Sequence, residues 1–195
     1  DIKKIEAYDV SHISGDHAVA SCVVFSNLGA LKKDYRLFNI PETLSGNDVG
    51  SLQHVLERRI KYYENPKIKP DVILIDGGRN QLNFTQSVID SSEYDDIKII
   101  SIVKGSNRIR ATETILSNDG IIELEKYSKA YLLLQEIRDE SHRFAITAQR
   151  KKKRGNIKQS RLDQINGIGD VLKKRLILKY KNIKNIKDAN IEDLM

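Results

Sequence analysis

Two aspartates in the sequence stand where a pair of carboxylates could hold a metal ion. Asp9 ends one apolar, strand-like segment, and Asp76 closes the continuous apolar run Val72-Ile-Leu-Ile75. If the two segments are neighbouring strands, their backbones lie about 4.8 Å apart. Carboxylates that close repel each other unless a cation lies between them. A Mg²⁺ or Mn²⁺ ion, completed by water and by substrate phosphate oxygens, fits such a pair and predicts phosphodiester cleavage.

His142 lies on a predicted helix whose polar residues recur every three or four positions. The members of this polar stripe are Gln135, Arg138, Asp139, His142, Ala145 and Gln149, and their spacing places them on one face. On that face His142 could complete the metal shell, or carry a proton to or from the attacking water or the leaving oxygen. We expect Arg138 and Arg143 beside it, and His12, three residues after Asp9, in a supporting position.

Ordinary structural roles stay open for these residues. Asp76 is followed by two glycines, and Asp-Gly-Gly can simply make the turn from a strand to a helix. A single histidine on a helix is more often structural or solvated than catalytic. Two acids at matching strand ends nevertheless favour a site over either explanation.

The elements that must position these residues follow from the hydrophobic pattern. Residues 5–10, 18–25 and 35–40 predict three antiparallel strands, separated by Ser-Gly-Asp and Asn-Leu-Gly turn signals. Residues 48–63 have apolar positions at helical spacing, and this helix is expected to end before Pro66. The first 63 residues therefore predict a meander followed by a helix.

The next segment predicts a β-α-β unit, a hairpin and a long helix. Residues 72–75 form a strand buried on both faces, residues 82–89 a covering helix, and residues 97–103 another strand. A hairpin is expected at Asn118-Asp-Gly120. A helix over residues 129–149 has an apolar stripe of Ala130, Leu134, Ile137, Ser141, Phe144 and Ala148. This order predicts an α/β fold with a ribonuclease H-like mixed five-stranded sheet and flanking helices.

A basic, apolar-poor tract at residues 151–159 predicts a linker between a first domain, residues 1–150, and a small all-α domain, residues 160–195. In the second domain, Gly167-Ile-Gly169 separates two helix-like segments. The glycines permit a tight hairpin, and the backbone amides there and at the start of the next helix can bind a DNA phosphate. Lys173, Lys174 and Arg175 are expected along the phosphate track, which predicts sequence-independent, salt-sensitive binding. An ordinary turn between two helices is the alternative.

The composition favours a soluble protein with a polyanionic partner. The 195 residues carry a formal net charge of +6, with a pI near 9.2, which points to nucleic acid. No run of about 18 apolar residues is present, so a membrane span is not expected. The single cysteine, Cys22, lies in an apolar run, so it is expected in the core. No disulfide can form within the chain, which suits a reducing compartment.

Four separated motifs and the hairpin resemble the UvrC family, the excinucleases of bacterial nucleotide excision repair. The motifs are Tyr8-Asp-Val-Ser-His-Ile-Ser-Gly15, Leu74-Ile-Asp-Gly-Gly-Arg-Asn-Gln-Leu82, Val103-Lys-Gly105 and Arg138-Asp-Glu-Ser-His-Arg-Phe-Ala145. The resemblance covers nearly the whole chain and corresponds to the carboxy-terminal half of the family. Arg79 and Asn80 stand where Lys and Gly are usual, and Asp170 replaces a common Pro.

The resemblance implies a metal-dependent endonuclease that makes the incision on the 5′ side of a DNA lesion. By position, Asp9, Asp76 and His142 match the Asp-Asp-His site of the family. Asp48 matches a further acid of functional importance there, and Lys104, which lies in one of the motifs, is expected in a supporting role.

The resemblance also implies damaged double-stranded DNA as substrate, UvrB and UvrA as partners, and a cytoplasmic location. We expect the protein to be a monomer. The chain starts at Asp1 and stops at Met195, where the second hairpin of the family should begin, so we expect a fragment with a truncated helix-hairpin-helix domain.

Two alternatives to a DNA endonuclease stay open from the sequence. A non-catalytic DNA- or partner-binding module would have the same fold, with the acids serving only as strand-end turns. An enzyme that acts on RNA or on a branched junction would keep the site and change the substrate.

Overall fold

The structure, a computed structural model, describes residues 2–11, 18–103, 113–158, 162, 165–181 and 183–190. The chain divides into two compact units, Asp1–Gln149 and Arg150–Met195. Among the helices of the described part of the chain, none is long and apolar enough to cross a membrane.

The described residues of the first unit form one mixed sheet of eight strands. In chain order these are β1 (Lys4–Ser11), β2 (Val19–Ser26), β3 (Gly29–Ala30), β4 (Arg36–Asn39), β5 (Val72–Asp76), β6 (Lys98–Val103), β7 (Thr114–Ser117) and β8 (Gly120–Ile122). The spatial order is β3-β2-β1-β5-β6-β7-β8, and β4 also pairs with β2. β1, β5 and β6 are mutually parallel, and the other pairs are antiparallel. The predicted α/β class is thereby observed, but the predicted number of strands is wrong.

The three strands beyond the predicted five are β3, β7 and β8, which contain two to four residues each. Segments this short carry too little alternation to be recognised as strands of the main sheet. Turn chemistry was the better signal, since the hairpin predicted at Asn118-Asp-Gly120 connects β7 to β8. Gly120 has a φ of +135° there, a backbone conformation that favours glycine.

Two helices of the first unit follow the meander and the central strand. α1 (Asp48–Ile60) begins after Asn47, whose side-chain oxygen accepts a hydrogen bond from the Gly50 amide at 2.9 Å, as N-cap residues do. α2 (Arg79–Asp90) follows β5. β5 lies between β1 and β6, and its residues 72–75 are all buried, as their uniform apolar character predicted.

The third helix is α3 (Lys129–Lys158), and its residues within the first unit lie over the face of the sheet opposite to α1. On β1, Glu6 contacts Arg59 of α1 and Asp9 contacts His142 of α3. Residues 6 and 9 are separated by an odd number of positions, so their side chains point to opposite faces. One face of β1 therefore contacts α1, and the other contacts α3.

The buried stripe of α3 differs by one residue from the predicted stripe at both ends. The buried residues are Tyr131, Leu134, Ile137, Ser141, Ala145 and Gln149, whereas Ala130 is exposed. Ala145 and Gln149, predicted on the polar stripe, are buried instead. Gln149 lies 18 residues, or five full turns, after Tyr131 and so returns to the same side of the helix, and Ala145 lies one turn before it. The helix also continues through Lys158 rather than ending near Gln149, since Lys and Arg favour helix.

The described part of the second unit contains α4 (Asp170–Tyr180) and α5 (Ile183–Lys187). Leu162 and Ile186 are buried. The first helix of the predicted hairpin falls mostly outside the described residues.

Candidate active site

Asp9 and Asp76 lie near the carboxyl ends of two neighbouring parallel strands, with Asp9 two residues before the end of β1 and Asp76 the last residue of β5. β1 pairs with β5 in a register that places Tyr8 opposite Ile75, and each aspartate is the next residue. Their backbones are therefore about 4.8 Å apart, and their side chains point to the same face of the sheet. Asp9 is 7% exposed and Asp76 is half-buried. The adjacency on which the predicted metal pair depends is present.

His142 reaches this pair from α3. Its Nδ1 atom lies 3.2 Å from Oδ2 of Asp9, although 133 residues separate the two in sequence. The imidazole is 54% exposed, whereas the Asp9 side chain is only 10% exposed. The arrangement thus combines a shielded carboxylate with a histidine that solvent or a substrate can reach.

A pair of serines that sequence reasoning missed holds α3 in this position. Oγ of Ser21 donates to the backbone oxygen of Ser141 at 3.1 Å, and the two hydroxyls lie 3.1 Å apart. Both residues are buried, and Ser21 is the β2 residue directly opposite Asp9. Ser141 precedes His142, so this contact fixes the helix over the sheet where the imidazole can reach Asp9. A serine within each of two apolar stripes was the signal in the sequence.

The turn after Asp76 is explained by the residues that follow it. The Gly78 amide donates to Oε1 of Gln81 at 2.8 Å. A Cβ atom added to Gly77 would collide with the same Gln81 oxygen, so any larger residue there would displace the Gln81 side chain from this turn. Gly77, Gly78 and Gln81 thus build the turn into α2, and Asp76 is the last residue of the strand. This weakens the explanation of Asp76 as a turn residue only.

The two arginines predicted beside His142 are held by acids. Arg138 forms ion pairs with Glu113 and with Asp139, and its side chain is only 11% exposed. Arg143 donates to Glu140 at 2.6 and 2.7 Å. Arg138 therefore ties α3 to Glu113, whereas Arg143 pairs with an acid of the same helix.

Glu140 also links α3 to the segment before β4. Tyr35 donates its hydroxyl to Oε1 of Glu140 at 3.1 Å, and its ring packs edge-on against Phe144 with 5.1 Å between centroids. The hydrogen bonds from Arg143 lower the pKa of Glu140. Burial, followed by the charge of Glu140, raises the pKa of Tyr35. The helix is thus docked on both sides of His142.

Asp48 is the first residue of α1 and is exposed. A carboxylate there is favoured by the helix dipole, and the capping bond itself comes from Asn47. A catalytic role for Asp48 stays a prediction. His12 and Lys104, the other two supporting residues predicted from the sequence, lie outside the described residues.

The donor set fits a hard divalent ion. No group of three or more His, Cys, Asp or Glu side chains that could hold a metal is found among the described residues. Mg²⁺, however, is commonly held by one or two carboxylates and keeps its other positions for water and substrate phosphate. Asp9 and Asp76 provide such a pair. His142 is oriented by Asp9, so its position fits a proton carrier at least as well as a metal ligand.

The hairpin of the second unit has two different glycines. Gly167 has a φ of +98°, whereas Gly169 has an ordinary φ of −79° and is the N-cap of α4. A Cβ atom at either position would meet nothing within 4 Å. Lys174 and Arg175 are exposed, but Lys173 is only 9% exposed. The predicted cation track therefore rests on Lys174 and Arg175.

Comparison with known proteins agrees with this description. Residues 1–146 match the family model described as the UvrC RNAse H endonuclease domain. The UvrABC system protein C of Hahella chejuensis is 37% identical over 196 residues, which is 99% of this chain and 32% of that protein. That of Nitrosococcus oceani is 39% identical over 194 residues, or 98% of this chain and 32% of that protein. The chain thus spans about a third of the length of these relatives.

Solved structures are similar to this chain only at low TM-scores and low identities. Human ENDOV has a TM-score of 0.42 and 13% identity over 75% of this chain and 86% of that one. Ciona intestinalis endonuclease V in complex with an inosine-containing DNA has a TM-score of 0.41 and 14% identity, covering 54% of this chain and 48% of that one. With three quarters of its residues in the matched domain, and with relatives of that name along nearly its whole length, the chain belongs to the UvrC family and contains its ribonuclease H endonuclease domain.

Proposed function

We propose that this protein is a divalent-metal-dependent DNA endonuclease that makes the 5′ incision beside a lesion in bacterial nucleotide excision repair. The observation that carries the proposal is the meeting of Asp9, Asp76 and His142. Two carboxylates follow the last paired residues of adjacent parallel strands, and the imidazole lies 3.2 Å from one of them. A binding module has no need for this combination.

In the proposed mechanism, Asp9 and Asp76 hold a Mg²⁺ or Mn²⁺ ion. When bound, the ion lowers the pKa of coordinated water and offsets the charge that develops on the phosphate. The Asp9 carboxylate accepts a hydrogen bond from Nδ1 of His142, which leaves Nε2 to exchange a proton with the attacking water or the leaving oxygen. The exposed side of the imidazole faces the direction from which a substrate can arrive.

The rest of the proposal concerns the setting of this reaction. The matched relatives are named UvrABC system protein C, which supports a damaged DNA duplex as substrate and UvrA and UvrB as partners. The hairpin of the second unit binds DNA phosphates without reading sequence. The protein acts in the cytoplasm as a monomer.

The test is incision of a duplex with one bulky lesion, in the presence of UvrA- and UvrB-like partners and Mg²⁺, with the two sides of the lesion scored separately. We expect Asp9→Asn and Asp76→Asn to lower the 5′ cut by about 10²-fold or more, with the 3′ cut and DNA binding retained. Asp119→Asn, an exposed acid in the β7–β8 turn, is the matched control and should cut normally.

An unchanged 5′ cut in both site variants would make the acids structural and leave a DNA- or partner-binding module. RNA and branched duplexes belong in the same assay, because faster cleavage of either would replace lesion-containing DNA as the substrate class.

A further inference from the structure

A basic surface of the first unit lies between the edge strand β4 and the carboxy-terminal end of α1. This groove has a volume of about 440 Å³, and its lining includes Arg36, Leu37, Phe38, Arg58, Lys61 and Tyr62. A smaller cleft of about 210 Å³ shares Arg36 with it and adds Lys4, Lys33 and Lys67. We call the two together the β4 groove.

The positive charge of the β4 groove is largely uncompensated. Arg59, which also lines it, is neutralised by the buried Glu6. Asp34 is the one carboxylate among the described lining residues. Within the described part of the chain, no ion pair joins Arg36, Arg58 or Lys61 to an acid. Concave surfaces of one charge sign concentrate ligands of the opposite charge.

Two of the arginines are held in place before any ligand binds. Nη1 of Arg36 donates to the backbone oxygens of Lys33 and Tyr35 at 3.0 and 2.8 Å. The Arg58 guanidinium lies 5.5 Å from the centre of the Phe38 ring. Side chains already fixed lose little conformational entropy on binding. Neither arrangement uses up the positive charge.

The β4 groove also presents apolar and aromatic surface beside its cations. Tyr62 is 60% exposed and Leu37 is 46% exposed. Arg, Lys and Tyr side chains are among those that bond to the phosphates of a DNA backbone.

The position of the groove relates it to the proposed active site. Asp9 is opposite Ser21 on β2, and Ser21 is opposite Leu37 on β4. Two strand spacings place Leu37 about 10 Å from Asp9, which is about three base steps of B-DNA. Arg36 and Phe38 point to the opposite face, which also carries α1 with Arg58 at its end, so the cations of the groove lie across the edge strand β4 from Asp9. DNA that contacts both Asp9 and these cations must therefore pass around β4.

We propose that the β4 groove binds the sugar–phosphate backbone of the DNA a few nucleotides from the cut. This inference rests on the proposed function for its choice of ligand, since an acidic protein segment would match the same charges. The exposed Tyr62 beside the cations favours DNA, because a tyrosine hydroxyl can also bond to a backbone phosphate. The contact is sequence-independent, because it involves phosphates and not base edges.

The test compares two double variants that remove equal charge. Arg58→Gln/Lys61→Gln alters the groove, and Lys98→Gln/Lys126→Gln alters exposed lysines elsewhere on the first unit. Fluorescence anisotropy with a 30-bp duplex, over a range of salt concentrations, measures affinity. The slope of log K against log salt should fall by about one for each lost phosphate contact, hence by about two in the groove variant. The control variant should keep the wild-type slope.

A second arm uses a polyglutamate peptide in place of DNA. If the groove variant loses peptide binding and keeps the wild-type DNA slope, the site binds acidic protein and the DNA proposal is overturned. Equal slope losses in both variants would also overturn it, since the effect would then be one of net charge. Binding is measured without cleavage, so the two proposals can fail separately. The groove can prove irrelevant to DNA affinity while Asp76→Asn still lowers the cut, and it can bind DNA while Asp76→Asn leaves the cut unchanged.

Discussion

Asp9 and His142 differ in solvent exposure, and this difference suits them to different roles in the proposed mechanism. The Asp9 side chain is 10% exposed, and that of His142 is 54% exposed. A shielded carboxylate orients its partner and contributes to a metal shell, but it exchanges protons poorly with substrate. The accessible imidazole is the group that can move a proton at the phosphate. The shared contact at 3.2 Å joins the two tasks in one site.

Replacement of His142 should therefore affect the chemical step more than binding. We expect His142→Gln to lower kcat for the 5′ cut by about 10²- to 10⁴-fold, the usual contribution of general acid–base catalysis, with KM changed little. Single-turnover incision in Mg²⁺ measures both parameters. His54→Gln serves as the control, because His54 is a half-buried histidine of α1. A large rise in KM with kcat retained would instead assign His142 to substrate binding.

At the scale of the element, β1 is a strand with different chemistry on each face. Toward α1 it carries Glu6, which is fully buried and accepts hydrogen bonds from Tyr8, Tyr63 and Arg59. Burial alone would lower the pKa of Arg59, but the hydrogen bonds and charge of Glu6 outweigh it and raise that pKa. A buried ion pair with all its partners is specific in geometry. It therefore fixes β1, and with it Asp9, against α1.

The same cluster should make the first unit sensitive to alkaline pH. Burial raises the pKa of Cys22 above its ordinary 9.0, and the pKa values of Tyr8 and Tyr63 above 10.0. These groups stay protonated in the folded state but ionise in the unfolded chain. The unfolded state therefore binds fewer protons, and stability falls as pH rises above about 9.

Urea unfolding at pH 8, 9, 10 and 11 measures this effect. Each group contributes up to about 1.4 kcal/mol of lost stability per pH unit once it ionises in the unfolded chain. Cys22→Ala should flatten the decline that begins near pH 9. Val23→Ala, a truncation of another fully buried residue on β2, should lower stability by the same amount at every pH. Parallel curves for both variants would show that the thiol is not involved.

At the scale of the whole molecule, strong local patterns were enough to predict most elements. The apolar run before Asp76 and the helical spacing of α1 have only one good explanation each, so β5 and α1 lie where expected. The phase of α3 was missed because Ala145 and Gln149 carry little hydrophobic signal, although both are buried. Their burial follows from tertiary packing, which sequence periodicity does not contain.

The candidate site shows the same division. Asp9, Asp76 and His142 were found because their types and the ends of their elements suggested chemistry. Ser21 and Ser141 were missed because a buried serine pair is visible only when two distant segments are in contact. The buried Glu6–Arg59 pair was missed for the same reason. Residues proposed to act are thus easier to single out from the sequence than the residues that position them.

In the hairpin of the second unit, phosphate binding by backbone amides can be tested separately from phosphate binding by cationic side chains. Gly169 has an ordinary φ, and a Cβ atom there would meet nothing within 4 Å, so Gly169→Ala should fold normally. The added methyl would instead stand where a phosphate approaches the amides that open α4. Loss of one charge-assisted hydrogen bond, about 1.5–3 kcal/mol, predicts DNA affinity about tenfold lower or more.

Salt titration separates the effect of Gly169→Ala from the effect of removing Lys174 and Arg175. Gly169→Ala removes no charge, so the slope of log K against log salt should stay at the wild-type value while affinity falls. Lys174→Gln/Arg175→Gln should lower the slope by about two. Gly167→Ala provides the folding control, because its φ of +98° strains any side chain by roughly 1–2 kcal/mol and should lower the thermal stability of the helical circular dichroism signal. Wild-type affinity in Gly169→Ala would mean that the hairpin amides do not bind phosphate, and that the second unit contacts DNA through its cations alone.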